Sequence, residues 1–112
     1  MIYKTFDIVS VPFPFTDLER TKKRPALVIS SEKNFNSKIE HSVLAMITSL
    51  KNTPWPLDVV ISNLQAAGLS AASVIRMKLF TLDHRLILSK IGILSSKDQN
   101  EFKKSLKALL IK

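Results

Sequence analysis

The sequence predicts a mainly β protein, in which a small, strongly bent antiparallel sheet or barrel is capped by a C-terminal helix. Short apolar runs with β-branched residues recur along the chain, and polar or proline-containing stretches separate them. Residues 95–112 differ, because their apolar side chains recur at helical spacing.

The composition is that of a compact folded protein, and we expect one domain over residues 1–112. The chain is 46% hydrophobic and 23% charged, which allows a buried core and is unlike a disordered segment. No run reaches the about 20 consecutive apolar residues of a membrane-spanning helix. The first residues lack the layout of a secretory signal, so we expect a cytoplasmic protein. Cysteine is absent, which excludes disulfides and thiolate metal sites.

The net charge favours acidic partners. Lysine and arginine number 17 against 9 acidic residues, which gives a formal charge of +8. Such an excess suits a polyanion, because neutralising its phosphates releases counterions. It equally suits an acidic protein, and charge alone does not separate the two.

Three strands are predicted in the first half of the chain. Residues 7–12 alternate apolar and polar side chains and end at a proline. The stretch 12–23 holds two prolines and then charge, which predicts a loop. A second strand is predicted over 24–30, and a polar loop follows it. The branched apolar run 41–50 predicts a buried strand.

The second half alternates short strands with breaks. Residues 51–56 contain two prolines and end the preceding strand. Strands are predicted over 57–62, 73–80 and 88–94. Between the first two of these, residues 63–68 form one predicted helical turn, which Gly68 stops.

A docked helix is predicted at the end of the chain. Ser96 and Gln99 have the spacing of a capping box. One helical face then carries the apolar side chains predicted to pack on the core, which are Phe102, Leu106, Leu109 and Leu110. A basic helix lying on a membrane surface is the alternative interpretation.

The sequence lacks the motifs of metal- or nucleotide-dependent chemistry. His41 and His84 are far apart and have no neighbouring ligands, so we expect structural or surface roles for them. The chain has only two glycines and no glycine-rich phosphate loop. We therefore expect no metal or cofactor, and an enzyme of this sequence would work with arginine, hydroxyl and carboxylate groups.

Arg24 and Thr48 are the candidate site. If strand 24–30 pairs with strand 41–48 as a hairpin, the start of the first lies beside the end of the second. The guanidinium and the hydroxyl then meet at one sheet edge, under the 13–23 loop. Together they can grip a phosphate and stabilise charge that develops on it. Each residue alone is commonplace at its position.

The chain resembles the MazF/PemK family of toxin–antitoxin ribonucleases over nearly its whole length. The segments that carry the resemblance are "DIV" at 7–9 with "PF" at 12–13, "RPALV" at 24–28, "ITS" at 47–49 and "KIG" at 90–92. Each segment alone is weakly specific, but four in order at compatible spacing are strongly specific. The chain departs from the family in carrying Phe6 where members usually have glycine, and in having no glycine between Phe13 and Lys23.

The resemblance implies an SH3-like barrel with a C-terminal helix, a homodimer, and a cognate antitoxin that occupies the RNA-binding surface. Operator DNA would be contacted only through the antitoxin, and no membrane partner is expected. The implied activity is metal-independent, sequence-selective cleavage of single-stranded mRNA, which inhibits growth. The 2′-hydroxyl attacks the adjacent phosphodiester and leaves a 2′,3′-cyclic phosphate and a 5′-hydroxyl.

The resemblance also assigns site residues. The family's catalytic arginine and threonine correspond to Arg24 and Thr48, and Glu19 lies at the spacing of a glutamate that matters in some members. Glu19 acts either as the general base or as a partner that positions Arg24. The candidate RNA-binding residues are Phe13, Phe15, Thr16, Arg20, Lys22, Lys23 and Ser49. Phe13 and Phe15 either stack on bases or pack in the core.

Two other functions stay open at this stage. The same fold could be a catalytically silent module that binds RNA or antitoxin. A gyrase-directed toxin of the CcdB kind shares the fold, but its activity tends to depend on a closing tryptophan in the terminal helix. The only tryptophan here, Trp55, lies in a mid-chain loop, where it is either a loop anchor or a dimer contact.

Overall fold

A six-stranded antiparallel sheet curls into a half-barrel and forms most of the molecule. In the computed structural model, residues 2–13 and 22–111 are described, with the exception of the Phe13 side chain. The strands are β1 Asp7–Phe13, β2 Lys22–Val28, β3 His41–Ser49, β4 Val59–Val60, β5 Ser73–Asp83 and β6 Ser89–Ile93. The helices are α1 Ser37–Ile39, α2 Leu64–Ala67 and α3 Ser96–Leu110. The strand order is β4-β5-β3-β2-β1-β6, and the mainly β prediction with a terminal helix is confirmed.

Two apolar clusters are formed because side chains alternate along the strands. The first cluster includes Ile8, Leu27, Ile47 and Ile75, and α3 covers it with Phe102. The second cluster consists of Tyr3, Val9, Val11, Ala26, Val28, Leu44 and Ile87. Neighbouring residues of β1 and β2 thus contribute to different clusters, as expected of strands that are buried on both faces.

Several strand predictions had the wrong limits, and β5 runs on to Asp83, three residues past the predicted end at 80. β2 begins at Lys22 rather than at residue 24, because β1 continues past Pro12 and Phe13 pairs with Lys22. Lys22 and Lys23 therefore belong to a strand and not to a loop. The strand predicted over 57–62 is reduced to Val59–Val60, since Leu57 takes a left-handed φ of 67° that extended backbone cannot adopt.

The polar loop predicted after β2 is partly helical. Residues Glu32–Asn36 form a π-helical turn that leads into α1, and Ser31 caps the turn by accepting a hydrogen bond from the Asn34 N–H at 3.0 Å. Asn36 is fully buried, and its Nδ2 donates to the Tyr3 carbonyl at 2.8 Å. The Asn36 side chain thus holds the N-terminal segment against the chain that follows β2.

Two details of the C-terminal helix also differ from prediction. The cap is Ser95, whose hydroxyl accepts from the Asp98 N–H, so the capping pair lies one residue earlier than Ser96 and Gln99. Leu109 and Leu110 are exposed by 41% and 62%, because α3 extends past the cluster that Phe102 and Leu106 contact. No helix among the described residues is long and apolar enough to span a membrane.

The two glycines of the chain, Gly68 and Gly92, lie where α2 packs closely on β6. Gly68 ends α2 with a φ of +75°, and a Cβ built there would lie 1.9 Å from the Ile91 carbonyl oxygen. A Cβ built at Gly92 in β6 would lie 2.3 Å from the Ala67 carbonyl carbon. Each contact is with backbone, so a larger residue would force α2 and β6 apart.

The Asp98 carboxylate fixes the start of α3 to the segment after β4. It is 1% exposed and accepts hydrogen bonds from the Ser62 N–H at 2.9 Å, the Ser62 hydroxyl at 2.7 Å and the Asn63 N–H at 3.2 Å. Burial acts to raise the pKa of Asp98, but these hydrogen bonds outweigh it and leave the pKa below its ordinary value.

Phe6 takes a left-handed conformation, with a φ of 74°, at the position where the resembled family usually carries glycine. Such a φ costs a bulky residue about 1–2 kcal/mol. The Phe6 ring meets Phe102 edge-on at 6.5 Å, and the Lys103 ammonium lies 5.6 Å from its centroid. These contacts with α3 offset the backbone strain.

We predict that Gly92→Ala lowers the free energy of unfolding by at least about 1–3 kcal/mol, the usual cost of overpacking, because the new methyl group meets the Ala67 backbone. Urea denaturation monitored by circular dichroism measures the change. Ser89→Ala, on an exposed residue of the same strand, is the matched control. Equal stability of the two variants would contradict the assigned contact.

We predict that Asp98→Asn loses about 2–3 kcal/mol of stability at pH 7, since charge-assisted hydrogen bonds of that strength are weakened. A carboxylate whose folded pKa is lowered stabilises the fold above its unfolded pKa, and the contribution is lost as pH falls through the folded value. The gap between wild type and variant should therefore shrink below about pH 4. Urea unfolding across a pH series tests this, with Glu101→Gln on the exposed side of α3 as the control. A gap that stays constant with pH would refute it.

Candidate functional site

Arg24 and Thr48 lie opposite each other on neighbouring strands. β2 and β3 are antiparallel and pair Ala26 with Met46, and the same register extended by two residues sets Arg24 across from Thr48. Directly opposed residues of an antiparallel pair share one face of the sheet. The hairpin-like pairing predicted from the sequence is confirmed, and it brings the guanidinium and the hydroxyl to one end of the sheet.

A cavity of about 250 Å³ opens at this end of the sheet. Arg24 and Pro25 of β2 form one side, and Ile47, Thr48 and Ser49 of β3 form its floor. The remaining wall is formed by the chain after α2, with Leu69, Ser70, Ala71, Ala72 and the first residue of β5, Ser73. The small residues of this wall leave room for a ligand beside Arg24 and Thr48.

The Arg24 side chain offers an unused hydrogen-bond donor. Its Nε is buried and has no partner among residues 2–13 and 22–111. Leaving a buried donor unsatisfied costs about 1–3 kcal/mol. A phosphate oxygen suits the planar guanidinium, because it accepts more than one N–H and carries the opposite charge.

The hydroxyl groups of β3 are already oriented by the turn that follows. Asn52 Nδ2 donates to Thr48 Oγ1 at 2.6 Å, and the Lys51 N–H donates to Ser49 Oγ at 3.2 Å. In both contacts the hydroxyl oxygen accepts, so each hydroxyl proton is available for another acceptor. Thr48 and Ser49 are therefore arranged as donors at the floor of the cavity.

Arg76 anchors the loop between β3 and β4. This buried arginine forms two hydrogen bonds to the Asp58 carboxylate, at 2.9 and 3.2 Å, and one to the Thr53 carbonyl at 2.9 Å. Burial acts to raise the pKa of Asp58, but the hydrogen bonds with Arg76 and the Trp55 N–H hold it below its ordinary value. Trp55 is 43% exposed, with its ring centroid 5.1 Å from the Arg76 guanidinium, which favours its interpretation as a loop anchor.

The remaining predicted site residues differ in how far the structure describes them. Lys22 and Lys23 are exposed on β2, and alternation sets Lys22 on the face of Arg24 and Lys23 on the other face. Phe13 ends β1 opposite Lys22. The predictions for Phe15, Thr16, Glu19 and Arg20 lie outside the described residues.

The sequence alone did not identify Asn52 or the wall at residues 69–73 as parts of the site. Asn52 belongs to a stretch that was interpreted only as a break between strands, and the wall follows a helical turn that carried no site prediction. The run of small residues 70–73 was the available signal, since short side chains leave room for a ligand.

A second cavity, of about 240 Å³, lies at the opposite end of β3 and β5. Two of its charged groups pair with each other, because Arg85 lies 2.7 Å from Asp83 and holds the pKa of Asp83 at about 2. His84 Nε2 lies 2.8 Å from the buried Ser42 hydroxyl, a contact between protein groups. In the described part of the chain, no three His, Asp or Glu side chains are grouped closely enough to hold a metal ion.

The solved structures of similar fold include MazF, a MazE–MazF complex and an endoribonuclease in complex with its antitoxin. MazF from Deinococcus radiodurans shares 21% identity over 98% of this chain and 97% of its own, with a TM-score of 0.74. A MazE–MazF complex from the same organism has a TM-score of 0.75 at 20% identity, covering 98% and 97% of the two chains. An endoribonuclease bound to its cognate antitoxin, from a mycobacterial species, shares 17% identity over 96% of this chain and 94% of its own, with a TM-score of 0.74.

At these identities the structural neighbours establish the fold, and the family model establishes the family. A search of curated proteins gives no significant match. The family model that describes PemK-like, MazF-like toxins of type II toxin–antitoxin systems matches residues 4–110, which is nearly the whole chain. This protein therefore belongs to the PemK-like, MazF-like toxin family of type II toxin–antitoxin systems.

Proposed function

We propose that this toxin is an endoribonuclease that cleaves single-stranded RNA, including mRNA, in a sequence-selective and metal-independent way and thereby inhibits growth. The observation that carries the proposal is the cavity that Arg24 and Thr48 line together, where the buried Arg24 Nε has no partner among the described residues. Two donors and a positive charge converge there on a space that suits a phosphodiester. Family membership supports the same activity.

In the proposed reaction, the ribose 2′-oxygen attacks the adjacent phosphorus while its proton passes to a base. The bond from phosphorus to the 5′-oxygen then breaks. This yields a 2′,3′-cyclic phosphate, and the departing oxygen takes up a proton to become a 5′-hydroxyl. Arg24 stabilises the charge of the pentavalent phosphorane and is the proposed proton donor to the leaving oxygen. Thr48 orients the scissile phosphate through its hydroxyl, and Ser49 assists.

Glu19 completes the proposed site, either as the general base or as a partner that positions Arg24. Cations neighbour it in the sequence, at Arg20, Lys22 and Lys23. They favour its charged form and therefore weaken it as a base. Positioning of Arg24 is the role that this charge distribution favours.

We also propose that the toxin is a homodimer and that a cognate antitoxin neutralises it by covering the RNA-binding surface. Two of the similar structures are a MazE–MazF complex and an endoribonuclease with its cognate antitoxin, which supports a partner of this class. The formal charge of +8 suits an acidic segment. Operator DNA would be reached only through the antitoxin.

We predict that Arg24→Ala and Thr48→Ala each reduce RNA cleavage by at least about 100-fold, the usual cost of removing one group that stabilises developing charge. Cleavage of a long single-stranded RNA with EDTA present, followed by sequencing of the ends, measures this. Discrete cuts with 5′-hydroxyl ends are expected from wild type. Arg85→Ala and Thr81→Ala replace exposed residues of the same two types and should cleave normally.

Retained cleavage by either site variant would overturn its assignment. No cleavage by folded wild-type protein would instead indicate a silent module that binds RNA or antitoxin. Circular dichroism of all four variants establishes that each is folded, so a loss of activity cannot be attributed to unfolding.

Lys22 and Lys23 form a matched pair for testing the electrostatic contribution. Lys22 shares the face of Arg24, so we predict that Lys22→Ala flattens the slope of log affinity against log salt by about 0.7, the value for one phosphate contact on a single strand. Lys23→Ala should leave the slope nearly unchanged. Fluorescence anisotropy with a 2′-O-methyl RNA, which is not cleaved, measures both. Equal slopes for the two variants would refute the assignment by strand face.

A further inference from the structure

We infer that Asn52 is a positioning residue, which holds the Thr48 hydroxyl so that its proton points to the scissile phosphate. The inference rests on the proposed ribonuclease function and deepens it. Asn52 lies in the turn after β3, and its Nδ2 donates to Thr48 Oγ1 at 2.6 Å. The hydroxyl of this cavity-lining residue is thus held by a side chain from outside the strand.

The chemistry of the two groups directs the hydroxyl proton away from the Asn52 amide nitrogen. A threonine hydroxyl has one proton to donate and two lone pairs that accept. The amide N–H of Asn52 occupies one lone pair, and an NH2 group cannot accept the hydroxyl proton in return. The proton must therefore be donated elsewhere, and an oxygen of a bound phosphodiester beside Arg24 is the acceptor that the proposed reaction supplies.

The backbone around Asn52 is fixed on both sides, so its amide is held in place before RNA binds. On the N-terminal side, the Asn52 N–H donates to the Ser49 carbonyl at 3.1 Å and closes a tight turn. On the C-terminal side, Arg76 holds the Thr53 carbonyl at 2.9 Å. A pre-arranged donor costs little reorganisation during the reaction.

A purely structural role for Asn52 predicts different behaviour from a positioning role. Asn52 is exposed, and the turn is closed by its backbone N–H, which substitution of the side chain leaves in place. Removal of the side chain should therefore change catalysis much more than the melting temperature. It should also have no effect once the Thr48 hydroxyl is gone.

The test is a double-mutant cycle on a short RNA that carries a cleavage site mapped on a long transcript. The proteins are wild type, Asn52→Ala, Thr48→Ala and the double variant, with Asn100→Ala on the exposed face of α3 as the matched control. We expect Asn52→Ala to lower kcat by about 10- to 100-fold, as other supporting hydrogen bonds around reactive groups do, with little change in KM. The double variant should be no slower than Thr48→Ala alone.

Asn52→Asp separates hydrogen-bond direction from side-chain size. The carboxylate accepts where the amide donates, so it draws the Thr48 proton away from the phosphate, and kcat should fall at least as far as in Asn52→Ala. The affinity of each variant for 2′-O-methyl RNA measures the effect of the added charge on binding separately.

Any result other than those expected above would overturn the inference. A wild-type kcat in Asn52→Ala, or losses that multiply in the double variant, would show that Asn52 does not act through Thr48. In either case wild type still cleaves, so the proposed function survives. Absence of cleavage in wild type itself would overturn the proposed function and this inference together.

Discussion

The close backbone contact between α2 and β6 is the constraint on which the rest of the structure depends. β4 and β6 are the two edges of the sheet, and α2 follows β4 in the chain. By packing on β6 through Gly68 and Gly92, α2 bridges these edges and closes the curled sheet over the first apolar cluster, to which Ala67 belongs. The cavity wall starts immediately after Gly68, so the same contact sets the distance from that wall to Arg24 and Thr48.

Buried polar groups then fix the segments that the sheet does not order. Asp98 gathers donors from the segment after β4, which orients α2 from its other end. Arg76 holds the loop after β3 in the same way, by donating hydrogen bonds to the Thr53 carbonyl and the Asp58 carboxylate. Because a buried charge without partners is costly, each of these residues determines one arrangement of its loop. Ionised side chains thus hold both the loop that follows β3 and the segment that leads into α2, which precedes the cavity wall.

The sequence allowed the pairing of Arg24 with Thr48 to be predicted, because strand alternation and antiparallel order determine which residues are opposed. Asn52 could not be predicted, since its contact depends on the turn geometry after β3. The exposure of Leu109 and Leu110 was also missed, because helical periodicity continues beyond the point where the core ends. β4 was predicted too long, since apolar composition gives no sign of the left-handed φ at Leu57.

The strained backbone at Phe6 makes the start of the chain depend energetically on its terminal helix. A glycine at this position tolerates the left-handed conformation alone, whereas phenylalanine needs the Phe102 ring and the Lys103 ammonium to offset the strain. The tolerance of phenylalanine at position 6 therefore depends on the side chains that α3 places beside it, at positions 102 and 103. A chimera that joins the β-sheet of this toxin to the terminal helix of a glycine-bearing relative would keep the strain and lose its compensation.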